Sequence, residues 1–376
     1  MKKLVLATLI GSALLSACAT QPSSSQTALP AGVSLVETVN SSKDGVVIPY
    51  KKYQLSNGLT VLIHEDHSDP LVHVDVTYHV GAAREEIGKS GFAHFFEHMM
   101  FQGSENVADE EHFKIITEAG GTLNGTTNSD RTNYFETVTA NQLEKMLWLE
   151  ADRMGFLLDA VTQQKFEVQR ETVKNERGQR VDNAPYGLLG ERTNEALYPE
   201  GHPYSWQTIG YIEDLNRVNV NDLKAFFLRW YGPNNAVLTI GGDVDVAQTL
   251  AWVEKYFGSI PRGPEVNNME KAPAKLDKDR YISLEDNVHL PLLSMNFPTV
   301  YAFHPDEPAL DVLAEILGQG KTSMFYQNLV KNQIAVQAMA NHPCAELACS
   351  FMMLALPHPA TMQGKTLADL EKIMRA

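Results

Sequence analysis

Cysteine is scarce in this chain, with three in 376 residues. That excludes a cysteine-built zinc cluster. His342, Cys344 and Cys349 lie close in sequence, but their spacing matches no familiar zinc pattern and no fourth ligand is evident. Cys344 and Cys349 are left either to pair in an oxidising compartment or to sit buried as thiols. Basic charge is also in deficit. Lys and Arg total 31 against 46 Asp and Glu, so the formal charge is 31 − 46 = −15. No basic stripe and no interleaved aromatic–basic motif occurs, which excludes a nucleic-acid partner. Long apolar runs are missing too. The stretch 4–15 has twelve residues, and a bilayer needs about 20. Nothing later in the chain is long and apolar enough to span one.

That short run still carries information. It follows Met1-Lys2-Lys3, and a charged start before a short apolar core is the pattern of an export signal. Leu15-Ser16-Ala17-Cys18 resembles a bacterial lipoprotein cleavage box, in which Cys18 becomes the lipidated first residue. The alternative is an ordinary signal peptide with a chance cysteine. Ala19, rather than Asp, after the cysteine favours an outer-membrane anchor by the same resemblance, with the body in the periplasm. Segment 19–45, rich in Ser, Thr, Gln and Pro, is expected to be a tether. The lipid would be the chain's only membrane contact.

The chain is organised around Gly91-Phe92-Ala93-His94-Phe95-Phe96-Glu97-His98-Met99-Met100, which reads as one short helix. His94 and His98 are four apart, so both rings leave the same face. Two imidazoles held that way suit one zinc ion, which takes nitrogen ligands at about 2.0–2.1 Å. Glu97 reaches the open side of such a metal, where a carboxylate can take a proton from water. His-x-x-Glu-His is the reversed form of the His-Glu-x-x-His zinc helix. The bland alternative is a half-buried helix with surface histidines. Phe92, Phe95, Phe96 and Met99 argue against it by walling the polar triplet with apolar bulk.

At 376 residues and 44% hydrophobic, the chain can form two to three cored domains. An Asn57-Gly58 turn predicts a hairpin, and alternation over 71–80 predicts a strand. Helices are expected over 110–119, 140–157, 163–181, from after Gly187 to about 197, over 221–231 and 246–257, and strands over 122–127, 132–139 and 236–241. A Pro- and charge-rich linker, 263–278, separates a first domain, 46–262, from a second, 279–376. Strands at 281–284 and 292–297, helices at 307–317 and 323–330, then strands near 336–340 and 350–356 repeat the opening order of the first domain. Two related α+β domains follow, the second incomplete, as if the chain were truncated. Gly318-Gln319-Gly320-Lys321-Thr322 is not a phosphate loop. Glu315 stands where its first glycine is needed, and the segment follows a helix rather than a strand.

A catalytic zinc needs a third protein ligand and an open position. The helix over 163–181 offers Glu167, Glu171 and Glu176, and spacing alone does not choose among them. The helix motif together with Arg170-Glu-Thr-Val-Lys-Asn-Glu176 resembles the pitrilysin/insulysin family of zinc peptidases, which includes the mitochondrial processing peptidases. The resemblance runs from about residue 50 to the end of the chain. It implies α+β domains, each with a mainly antiparallel sheet covered by helices. It also implies Glu176 as third ligand, because members place it roughly 76–78 residues after the second histidine and 176 − 98 = 78. Gly120-Gly121-Thr122-Leu123-Asn124 resembles the family's strand beside the zinc, so Asn124 is expected to hold substrate backbone. His202-Pro203-Tyr204 and Trp230-Tyr231-Gly232-Pro233-Asn234-Asn235 resemble further family stretches. One departure is Gln169, where the family often has an assisting glutamate; the nearby Glu171 is not given that role.

The function implied is a zinc metalloendopeptidase acting on unfolded peptides, with one Zn²⁺ per chain and Glu97 as general base. Family enzymes close two halves like a shell. The second half here would come from a longer parent chain or from a homo- or heterodimer partner. A non-catalytic subunit and a zinc-binding lipoprotein of the same fold are the alternatives.

Overall fold

The structure, a computed structural model, describes residues 28–42 and 45–375. The expected signal peptide, Cys18 and the start of the tether lie outside the described residues. The rest of the tether is not all irregular. Val33–Val39 forms strand β1 and pairs antiparallel with β2 (Tyr50–Leu55). Its β-branched residues suit a strand, but only Val33 is buried, so the chain shows no buried alternation there.

β2 turns at Asn57-Gly58 into β3 (Thr60–Glu65), the expected hairpin. The Asn57 side chain donates to the carbonyls of Phe257 and Ile260, tying the turn to a helix end 200 residues away. β4 (Leu71–Tyr78) buries Val72, Val74, Val76 and Tyr78. Helices α1 (Phe92–Met99) and α2 (Glu111–Glu118) follow, then strands β5 (Thr122–Thr127) and β6 (Thr132–Thr139). Next come α3 (Leu143–Phe156), α4 (Gln163–Arg177), α5 (Leu189–Leu197), α6 (Ile212–Arg217) and α7 (Val220–Trp230). β7 (Ala236–Gly242) and α8 (Val246–Phe257) close this part. The six residues of α6, too few to show a helical period, have no counterpart among the expected helices.

Among the described residues these strands make one sheet, ordered β1-β2-β3-β7-β4-β6-β5. Only β3 and β7 are parallel neighbours. β7 comes late in the chain yet slots between β3 and β4, after β6 and β5 have extended the sheet on the other side of β4. Phe95, Phe96 and Met99 of α1 share one buried core with Val74 and Val76 of β4, Phe166 of α4 and Phe227 of α7. β5 is left at the sheet edge.

Segment 263–278 is irregular, as expected for a linker, and the irregular path continues to 292. The strand expected at 281–284 does not form. Tyr281 and Ile282 are 78% and 51% exposed, and apolar alternation without a partner strand makes no ladder. A second sheet follows: β8 (Leu293–Pro298), α9 (Glu307–Gly318), β9 (Ala335–Asn341) and β10 (Ser350–Pro357), with α10 (Leu367–Arg375) last. Its order, β8-β10-β9, repeats β4-β6-β5. The two sheets are therefore related units of one α+β design. In the first, β7 covers the far side of β4. In the second, no strand among the described residues covers the matching side of β8.

The two units meet through a small loop. Cys344 and Cys349 form a disulfide, and the residues between them reach into the first unit. The Glu346 amide donates to Asp130 Oδ2 and the Leu347 amide to the Tyr204 hydroxyl. Tyr204 in turn donates to Asp130, in the turn between β5 and β6. His79 Nε2 lies 2.6 Å from Glu346 Oε2. Leu347 and Ala348 are buried with Ala83, Leu197 and Tyr198.

Candidate metal centre

α1 is aimed by its first turn. Gly91, the residue before it, has φ +90°, a left-handed backbone that favours glycine. A Cβ there would also lie 2.8 Å from the Ile209 carbonyl oxygen. The free N–H groups of the helix start are taken by a buried carboxylate. Glu85 accepts from the Gly91 amide at 2.9 Å, the Ala93 amide at 2.8 Å and Trp206 Nε1 at 3.1 Å. Burial pushes Glu85 up to about 8 and these donors oppose it. With Phe92, Phe95, Phe96 and Met99 in the core, His94, Glu97 and His98 are left on the other side of the helix.

α4 brings Glu176 to that side. Its Oε2 lies 3.6 Å from His94 Nε2 and 3.2 Å from His98 Nε2. One ligand atom from each of the three falls within 4.8 Å of the others. The carboxylate's second oxygen, Oε1, is 2.6 Å from Arg180 Nη1, one turn further on. Glu167 and Glu171 are engaged elsewhere, each 2.8 Å from a cation of its own, Arg170 and Lys174. Gln169 is buried. Burial, and then the neighbouring His98, push His94 down to about 4. The ring is therefore neutral near neutral pH, the form whose nitrogen lone pair binds a metal. Two imidazoles and one carboxylate are also a donor set of the hydrolytic zinc type, so the residues present fit that ion.

Glu97 stands beside the three. Its Oε2 accepts from Thr127 Oγ1 at 2.5 Å. Burial raises its pKa, against the Thr127 bond. Its other flank is Gly125, where a Cβ would lie 3.3 Å from Glu97 Oε1 and 3.1 Å from the Phe101 ring. Residues 125 and 127 share a face of β5, since side chains alternate along a strand. Asn124, the residue expected to hold substrate, lies on the other face. It is exposed, and its Oδ1 accepts from the Gly125 amide. Sequence reasoning passed over Gly125 and Thr127, because alternation outward from Asn124 selects residues 122 and 126 instead.

Comparison with known proteins fits this geometry. Residues 60–202 match the model of the insulinase family, peptidase family M16, and that stretch holds His94, Glu97, His98 and Glu176. Residues 217–375 match a model described as the peptidase M16 inactive domain, and none of the four lies there. The chain is 32% identical over 335 residues to the zinc protease PqqE of Helicobacter pylori, covering 87% of this chain and 75% of that protein. The crystal structure of a protease from Helicobacter pylori superposes with a TM-score of 0.80 at 31% identity, over 87% of this chain and 78% of that one. The first half of the periplasmic protease PqqL from Escherichia coli gives a TM-score of 0.66 over 84% of this chain and 69% of that one. At 20% identity, the latter shares the fold alone.

Proposed function

The chain belongs to the insulinase family of peptidases, and from that premise we propose that it is a zinc-dependent metalloendopeptidase cutting unfolded peptides. The observation that carries this reading is the meeting of His94, His98 and Glu176 around one point, with Glu97 beside them. These three would hold the ion. When bound, zinc acidifies a water and polarises a carbonyl oxygen. Glu97 accepts the proton released as water attacks the scissile carbonyl, then returns it to the departing amine nitrogen. No proton is gained or lost over the cycle. The peptide adds as a strand along the open edge of β5 near Asn124, where backbone bonds give affinity with little sequence demand.

The outer parts of the proposal rest on sequence. The chain is exported, lipidated at Cys18 and held at the outer membrane with its body in the periplasm. A second half-shell, from a longer parent chain or from a partner subunit, completes the chamber. No helix among the described residues is long and apolar enough to cross a membrane, and the mass of the native protein tests lipid and partner together.

The deciding experiment is Glu97→Gln, assayed with a quenched peptide and by metal analysis. Expected is one zinc per chain and loss of cleavage. Undiminished cleavage removes Glu97 as base. A folded wild-type sample that takes up no zinc favours a structural subunit instead.

A further inference from the structure

We propose that Thr127, with Gly125 beside it, positions the Glu97 carboxylate, so that the strand expected to receive the peptide also aims the base. This rests on the peptidase reading above. Two observations on one face of β5 carry it. The Thr127 hydroxyl is the hydrogen-bond partner that the Glu97 side chain has among the described residues, at 2.5 Å to Oε2. Two residues earlier, Gly125 lets the carboxylate lie against the strand. A side chain there would start 3.2 Å from Glu97 Cγ and 3.3 Å from Oε1, so even a methyl would press on the carboxylate.

The consequence is chemical. A hydroxyl donating to Oε2 occupies one of that oxygen's lone pairs and lowers its basicity, which favours Oε1 as the oxygen that takes the proton. Thr127 is a suitable holder. Its β-branched side chain is stiff at χ1. Its backbone is locked in the ladder opposite Thr132, whose own hydroxyl is tied to the Val80 carbonyl. A long glutamate side chain would otherwise sample several rotamers. Because Thr127 and the peptide-binding edge belong to one strand, the base and the scissile bond share a single frame of reference.

Thr127→Val keeps the shape and removes the donor, while Thr127→Ser keeps the donor. In zinc-loaded full chain, Thr127→Val should retain zinc and lower kcat by about 10-fold or more, with KM changed less than about two-fold, and Thr127→Ser should recover most of the loss. In the metal-free protein, the Tm changes of Thr127→Val and Glu97→Gln should be non-additive, because the two share a bond. Wild-type kcat in Thr127→Val, or no recovery in Thr127→Ser, overturns the positioning role. Additive Tm changes overturn the contact itself. A wild-type chain that holds zinc and, with its second half-shell supplied, cuts no peptide removes the peptidase reading, and this proposal with it.

Discussion

His94 is the residue whose environment speaks most directly to chemistry. Its ordinary value is 6.5, and burial beside His98 takes it to about 4. In the unfolded chain the ring takes up a proton as pH drops through about 6.5, whereas in the metal-free folded protein it resists until about 4. Between those values the unfolded state binds more protons, so stability rises with pH across the window and falls as pH drops through it. The Tm of chelator-treated protein should decline between pH 6.5 and 4, and decline less steeply in His94→Gln. Parallel slopes in the two proteins would remove His94 as the cause. At this scale the sequence was legible where one helix did the work. Three residues within five positions share a face by helical period alone. Glu176 was not legible that way, because a helix with three glutamates offers no local reason to prefer one. The preference comes from how α4 lies against α1, and the carboxylates of Glu167 and Glu171 are already paired on their own helix.

α1 has eight residues, too short to be stable by itself, and its direction depends on its ends. Gly91 and Glu85 set the entry. Gly91→Ala would force a Cβ against the Ile209 carbonyl at a backbone angle that disfavours it. The expected result is a Tm lower by several degrees and zinc binding weakened by about 10-fold or more, with Glu97 and both histidines untouched. Unchanged zinc affinity, measured by competition with a chelator, would show that the helix tolerates a different entry. Elements with strong periodicity were readable from sequence: β5, β6 and α8 occupy the expected residues. Those that depend on a neighbour were not. β1 exists because β2 offers it an edge. Segment 281–284 has strand-like residues, but no strand among the described residues pairs with it.

Taken whole, the molecule repeats one three-strand order, β4-β6-β5 and β8-β10-β9, and a small disulfide-closed loop is one of the places where the two units meet. Closing so short a loop, with a sequence separation of 5, contributes about 2 kcal/mol in chain-entropy terms. Its larger effect is to shape the loop whose amides reach Asp130 and Tyr204. Replacing both cysteines, Cys344→Ser and Cys349→Ser, should lower the Tm by a few degrees and speed tryptic cleavage at Lys271, Lys275 and Lys278. Equal cleavage rates would mean that the loop keeps its place without the disulfide. The related second unit could be read from element order. The docking loop could not, because nothing in Cys344-Ala-Glu-Leu-Ala-Cys349 announces which surface it meets.

The uncovered side of β8 has a further consequence. A backbone border of this kind is sticky without being selective: it welcomes any extended segment, whether from the same polypeptide, from a different subunit or from an identical neighbour.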